Sequence, residues 1–123
     1  MKIKRNAPAQ QVQARRVLRR EVDWVTRYMF EGSREQVWRE CRVLDVSRGG
    51  AGVELSGTTV DEARVRRVVL EFELPPAVLR LRGEVRHASP CDDGSVFAGL
   101  QFGNLTALEH DMLDSLLERD PSR

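Results

Sequence analysis

Val68-Val69-Leu70-Glu71-Phe72-Glu73-Leu74-Pro75-Pro76-Ala77-Val78-Leu79-Arg80-Leu81-Arg82-Gly83-Glu84-Val85-Arg86 holds two strands and the stop between them. In the first, Val68, Leu70, Phe72 and Leu74 point one way while Glu71 and Glu73 point the other, because successive side chains of an extended backbone alternate between faces. Pro75-Pro76 ends it, since proline donates no ladder hydrogen bond. In the second, Leu79, Leu81 and Val85 oppose Arg80, Arg82, Glu84 and Arg86, the alternation of an antiparallel strand with one face in a core and one in water.

The same period recurs on both sides. Val22, Trp24, Thr26 and Tyr28 share a face, with Asp23, Arg27 and Met29 on the other, and Glu31-Gly32-Ser33 reads as a turn. A second strand spans about Val37 to Val46. After the Gly49-Gly50 break a third carries Ala51, Val53 and Leu55 inward, and Ser56-Gly57-Thr58 closes it. Beyond an Asp92-Asp93-Gly94 turn, Val96, Ala98, Leu100 and Phe102 form the inner face of a sixth strand. Gly99 marks a bend or a close approach there. Thr106-Ala107-Leu108-Glu109 has capping-box spacing, and Leu108, Met112, Leu113, Leu116 and Leu117 form a helical stripe that Pro121 follows. Six short strands and one closing helix are most economically a small antiparallel barrel capped by that helix, although a two-layer sandwich carries nearly the same pattern.

A chain of 123 residues is expected to be one domain. Cys41 and Cys91 stand outside any CxxC or His-rich context and read as reduced thiols. No secretory h-region or membrane-length apolar run occurs, so the expectation is a cytoplasmic protein without membrane insertion. The net charge of +1 hides an asymmetry: Lys2, Lys4, Arg5, Arg15, Arg16, Arg19 and Arg20 put seven positive charges and no negative one in the first twenty residues, leaving 13 basic and 19 acidic side chains in the rest. Residues 1–13 read as a flexible basic leader, 14–118 as the domain and 119–123 as a tail.

Two motifs carry chemistry. Arg15-Arg16-Val17-Leu18-Arg19-Arg20 offers planar guanidinium forks that match phosphate oxygens and the O6/N7 edge of guanine. Asp45-Val46-Ser47-Arg48-Gly49-Gly50 sets an acceptor, a hydroxyl and two glycines at the end of an apolar strand. Asp45 can accept from a guanine N1–H and N2–H₂ edge or orient an arginine, Ser47 can donate or accept, and Gly50 is expected at φ > 0 to free the turn. Together they describe a pocket for something anionic, planar and rich in hydrogen-bonding edges, and a guanine nucleotide fits.

Arg15-x-x-x-Arg19 followed by Asp45-x-Ser47-x-x-Gly50 resembles the two-part signature of PilZ domains, bacterial receptors for the second messenger cyclic di-GMP. Val22-Asp23, Arg27-Tyr28, Gly50-Ala51-Gly52-Val53-Glu54-Leu55 and Gly99-Leu100-Gln101-Phe102 extend the resemblance over about residues 14 to 118. It implies a six-stranded antiparallel β-barrel with a C-terminal helix. It also implies an N-terminal arginine loop that folds across the barrel when ligand arrives. Arg15 and Arg19, with Arg16 beside them, would grip guanine edges and phosphates; Asp45 and Ser47 would contact ligand from the barrel, with Gly49 and Gly50 forming the turn. Arg16-x-x-x-Arg20 is a second register. The resemblance further implies a receptor or adaptor acting in trans on a protein effector, in motility or related control. No cofactor beyond the ligand is implied, and a homo-dimer is left open. The alternative is an interaction module that does not depend on nucleotide.

Other sites weigh less. His87 and Cys91 are four apart but have no second Cys/His pair, so no metal site is expected. Ser47, His87 and Asp45 make a triad only on paper, and no enzyme activity is expected. The strands lack an exposed aromatic ladder for stacking bases, which argues against nucleic acid. Trp24, Trp38, Phe72 and Phe102 are expected in the core or against the helix, and His110 at the surface or in packing.

Overall fold

Leu74 and Ala77 face each other across the Pro75-Pro76 turn, and from there the two strands pair residue by residue to Arg67 and Glu84. This is the hairpin the alternating sequence foretells. It belongs to a computed structural model that describes residues 20–32, 34 and 36–119. The elements are β1 (Arg20–Phe30), β2 (Arg39–Val46), β3 (Gly50–Leu55), α1 (Val60–Arg64), β4 (Arg67–Leu74), β5 (Ala77–Pro90), β6 (Val96–Phe102) and α2 (Ala107–Glu118).

The six strands form a closed antiparallel barrel in the order β1-β2-β3-β6-β5-β4. Closure comes from β1 against β4, where Arg27, Tyr28, Met29 and Phe30 pair with Glu71, Leu70, Val69 and Val68. Inward positions of every strand meet in one core that includes Tyr28, Val43, Val53, Leu55, Leu70, Leu81 and Ala98, each at most 1% exposed. Burying a side chain of this size stabilises the fold by roughly 1.5–3 kcal/mol. Tyr28 brings a hydroxyl into this core and satisfies it by donating to the Ser56 carbonyl at 2.6 Å.

Among the described residues two helices flank the barrel. The α2 helix starts with the expected capping box: the Glu109 amide donates to Thr106 Oγ1 at 3.0 Å and the Thr106 amide donates to Glu109 Oε1 at 2.8 Å. It sends Leu113 into the core and lies beside the start of β1 and the β2–β3 turn. Leu108, expected in its apolar stripe, is instead 67% exposed, because the helix faces the barrel through Met112, Leu113, Leu116 and Leu117. The α1 helix has no counterpart in the sequence reading. Its five residues are too short to show a 3.6-residue period. Thr59 caps it by accepting from the Glu62 amide at 3.1 Å, and Ala63 seals the core.

Two more expectations change. β2 begins at Arg39, leaving Val37 exposed. Trp38 is not in the core: it covers the outer face of the barrel, with the Arg27 and Arg80 guanidinium groups 4.6 Å and 5.5 Å from its ring centroid. Glu71, on the outward side of β4, lies beneath them at 4% exposure. Its carboxylate accepts from Arg27 Nε at 2.5 Å and Arg80 Nε at 2.8 Å. Burial works against the charge, but the hydrogen bonds from Arg80 and Arg27 outweigh it and hold the carboxyl below the ordinary glutamate range.

Candidate functional site

The Asp45–Gly50 segment is a hairpin tip. Val46 pairs with Ala51, and the Ser47 amide donates to the Gly50 carbonyl at 2.8 Å, so Arg48 and Gly49 stand at the turn's end. Ser47 Oγ accepts from the Gly49 amide at 3.2 Å, a local bond that shapes the tip. The tip is tied to the neighbouring strand by the Phe102 amide, which donates to the Gly49 carbonyl at 2.9 Å. Val46 points into the core, while Asp45 and Ser47, two residues apart, share the partly exposed outer face.

The glycines are required for a different reason from the expected one. Among the described residues the glycines with positive φ are Gly32, Gly57 and Gly94, and Gly50 is not one of them. Instead, a Cβ on Gly50 would lie 2.1 Å from the Leu100 carbonyl oxygen of β6. The need is for close approach of two backbones rather than for a left-handed turn.

Gly52, which the sequence reading did not single out, positions Asp45. It lies opposite Asp45 across an irregularity in the β2–β3 ladder, and its amide donates to Asp45 Oδ1 at 3.1 Å. A Cβ there would stand 2.8 Å from Asp45 Oδ2. The empty space above Gly52 is therefore the seat of the Asp45 carboxylate. The signal was present as the alternate glycine of Gly50-Ala51-Gly52.

Arg48 is the second omission. Its guanidinium fork meets the α2 carboxylate of Asp114, Nη2 to Oδ2 at 2.6 Å and Nε to Oδ1 at 3.4 Å. On the other flank, Arg20 is opposite Val46 and Glu21 opposite Asp45 in the β1–β2 ladder, so the chain enters the barrel beside the tip. Arg20 Nη1 points to α2, donating to the Leu117 carbonyl at 3.5 Å. Arg15, Arg16 and Arg19 lie outside the described residues, as do the rest of the leader and residues 120–123.

The other residues weighed in the sequence do not join this site. The His87 ring packs over Gly99, whose added Cβ would stand 2.9 Å from it, and contacts Phe97 at a 5.4 Å centroid distance. The close approach marked by Gly99 is thus to a side chain. Cys41 is buried in β2, where desolvation pushes its thiol up to about 12. Among the described residues no group of three or more His, Cys, Asp or Glu could hold a metal, and no helix is long and apolar enough to cross a membrane. A cavity of about 790 Å³ is lined by Trp24, Arg27, Trp38, Phe72 and Leu116 among others and does not include Asp45, Ser47 or Gly50.

The closed barrel thus sets the entry of β1 at Arg20 beside the Asp45–Gly50 hairpin tip. The family model for the PilZ domain matches residues 10–119, and the chain belongs to the PilZ domain family, a family of cyclic di-GMP receptors. No curated protein matches it.

Proposed function

We propose that this chain binds cyclic di-GMP at the Asp45–Gly50 tip and that Arg15 and Arg19, with Arg16, close over the nucleotide from the N-terminal side. The observation that carries the reading is the pairing of Arg20 with Val46, which starts the arginine segment next to Ser47. Each residue of chain reaches at most about 3.6 Å, so Arg19 is one step from the tip and Arg15 within five.

Charge supports the same division of labour. On the described side of the site Arg48 is already matched to Asp114. A dianionic ligand therefore gains from further cations, which the arm supplies. Ordering five residues costs about 5–10 kcal/mol at about 1–2 kcal/mol each. Three or four charge-assisted hydrogen bonds at about 1.5–3 kcal/mol each are enough to offset it. In this reading the ligand contacts hold the arm over the barrel, and the surface they create is what a protein effector reads.

Calorimetric titration with cyclic di-GMP tests this. Arg15→Ala and Arg19→Ala abolish measurable binding while the thermal melt of the free protein hardly moves. Undiminished affinity in both variants would refute the site assignment, and a wild-type protein that ignores the nucleotide would refute the function.

A further inference from the structure

Arg48 is in the middle of the candidate ligand turn, between Ser47 and Gly50, yet its guanidinium is engaged elsewhere. Both carboxylate oxygens of Asp114 face it, at 2.6 Å and 3.4 Å. The pair is open to water, with side chains 62% and 37% exposed. We propose that Arg48 is a further nucleotide-binding residue held in reserve by Asp114, so that α2 and the ligand compete for one guanidinium; the proposal rests on the nucleotide reading of the tip.

Relative strength decides the direction of the exchange. An exposed ion pair of this kind changes an equilibrium constant by no more than about fivefold. A charge-assisted fork to a phosphodiester or a guanine O6/N7 edge in a partly enclosed site is worth about tenfold or more. A dianionic ligand on the tip therefore recruits Arg48, and Asp114 is released.

The release has a place to register. α2 is fastened near the site by this pair and by Arg20, whose guanidinium donates to the Leu117 carbonyl at 3.5 Å. Arg20 directly follows the arginine motif and Arg48 lies inside the turn, so both fastenings belong to segments that the ligand would engage. Losing one loosens the last turns of the helix. Asp111 also acts on Arg48, but through its charge alone, which makes it a control for field effects.

The test is calorimetry with cyclic di-GMP on the full chain. Expected are a two- to fivefold tightening in Asp114→Asn, a tenfold or greater weakening in Arg48→Ala, and no effect of Asp114→Asn in an Arg48→Ala background. Amide hydrogen exchange of α2 rises on nucleotide addition in the wild type and is already raised in free Asp114→Asn. Equal tightening in Asp111→Asn and Asp114→Asn, or tightening that survives loss of Arg48, would show a field effect and overturn the proposal. An Arg48→Ala variant with wild-type affinity would also overturn it while leaving the nucleotide site intact. Absence of binding by the wild type removes both readings, and the two failures are thereby distinguished.

Discussion

Replacing Gly52 by alanine separates the proposed ligand site from the barrel that carries it. The new Cβ would stand 2.8 Å from Asp45 Oδ2, whereas ordinary contact begins at 3.4 Å. The carboxylate must retreat by about 0.6 Å, and the clash is with the end of a side chain, so the strands themselves need not move. The retreat strains the 3.1 Å bond from the Gly52 amide to Oδ1, a loss of about 1 kcal/mol. Alanine returns about 0.4–1 kcal/mol by restricting the unfolded chain. Stability therefore stays within about 1 kcal/mol, a shift in melting temperature below about 8 °C. Binding has no such offset, because an acceptor moved by half an ångström forfeits a charge-assisted hydrogen bond of about 1.5–3 kcal/mol, roughly a 10- to 100-fold loss. Paired thermal melts and calorimetric titrations with cyclic di-GMP read both quantities. Wild-type affinity in Gly52→Ala would refute the reasoning, since either the carboxylate does not need that seat or it does not touch the ligand.

Gly50→Ala has the opposite signature: its Cβ meets the Leu100 carbonyl oxygen at 2.1 Å, a clash with backbone that only strand separation relieves, and urea unfolding should show a loss of about 3 kcal/mol or more. Glu71→Gln keeps the shape beneath Trp38 but drops the charge that Arg27 and Arg80 share, at a cost of about 1–2 kcal/mol near pH 7, the arginines being half-exposed and free to rehydrate. Because the Glu71 carboxyl is held below its ordinary value when folded, its contribution is fully present above the unfolded value near 4.5 and is lost as pH falls through the folded value. The stability gap between the wild type and Glu71→Gln should therefore narrow as pH falls below about 4.5 and vanish below the folded value in denaturant titrations. A gap that persists there would show that packing and not charge is responsible. The Cys41 thiol, pushed up to about 12 by burial, should resist a thiol reagent at pH 8 that labels Cys91 readily, and should react at a rate set by opening of the barrel.

Strand identity was legible wherever a residue's environment is set by its own neighbours. The alternation of Val68 to Leu74 and of Leu79 to Arg86 places their core faces correctly, and Thr106 with Glu109 caps α2 as the spacing requires. Legibility fails where the environment is delivered by residues remote in sequence. Glu71 reads only as pointing away from the apolar face of its strand, and the alternation cannot show that Arg27 and Arg80, stacked on Trp38, enclose it. Gly50 invites a local turn explanation, while the atom that forbids a side chain is the Leu100 carbonyl, fifty residues away. Asp45, Ser47 and the turn were visible as a motif. What the motif could not show is that the carboxylate sits over Gly52 or that Arg48 leans on Asp114, because both depend on cross-strand and helix contacts rather than on spacing. The short α1 helix escaped for another reason, since five residues carry too little periodicity to compete with a loop.

Every strand of this barrel has a hydrogen-bonded neighbour on each side. Sheets that end in an unpaired strand can recruit another polypeptide by simple backbone zippering, with little regard for its sequence. That route is closed to β1–β6, which guards the protein against indiscriminate self-association. It also confines recognition to side chains, hairpin tips and helices, the parts of the molecule that a small ligand is able to rearrange.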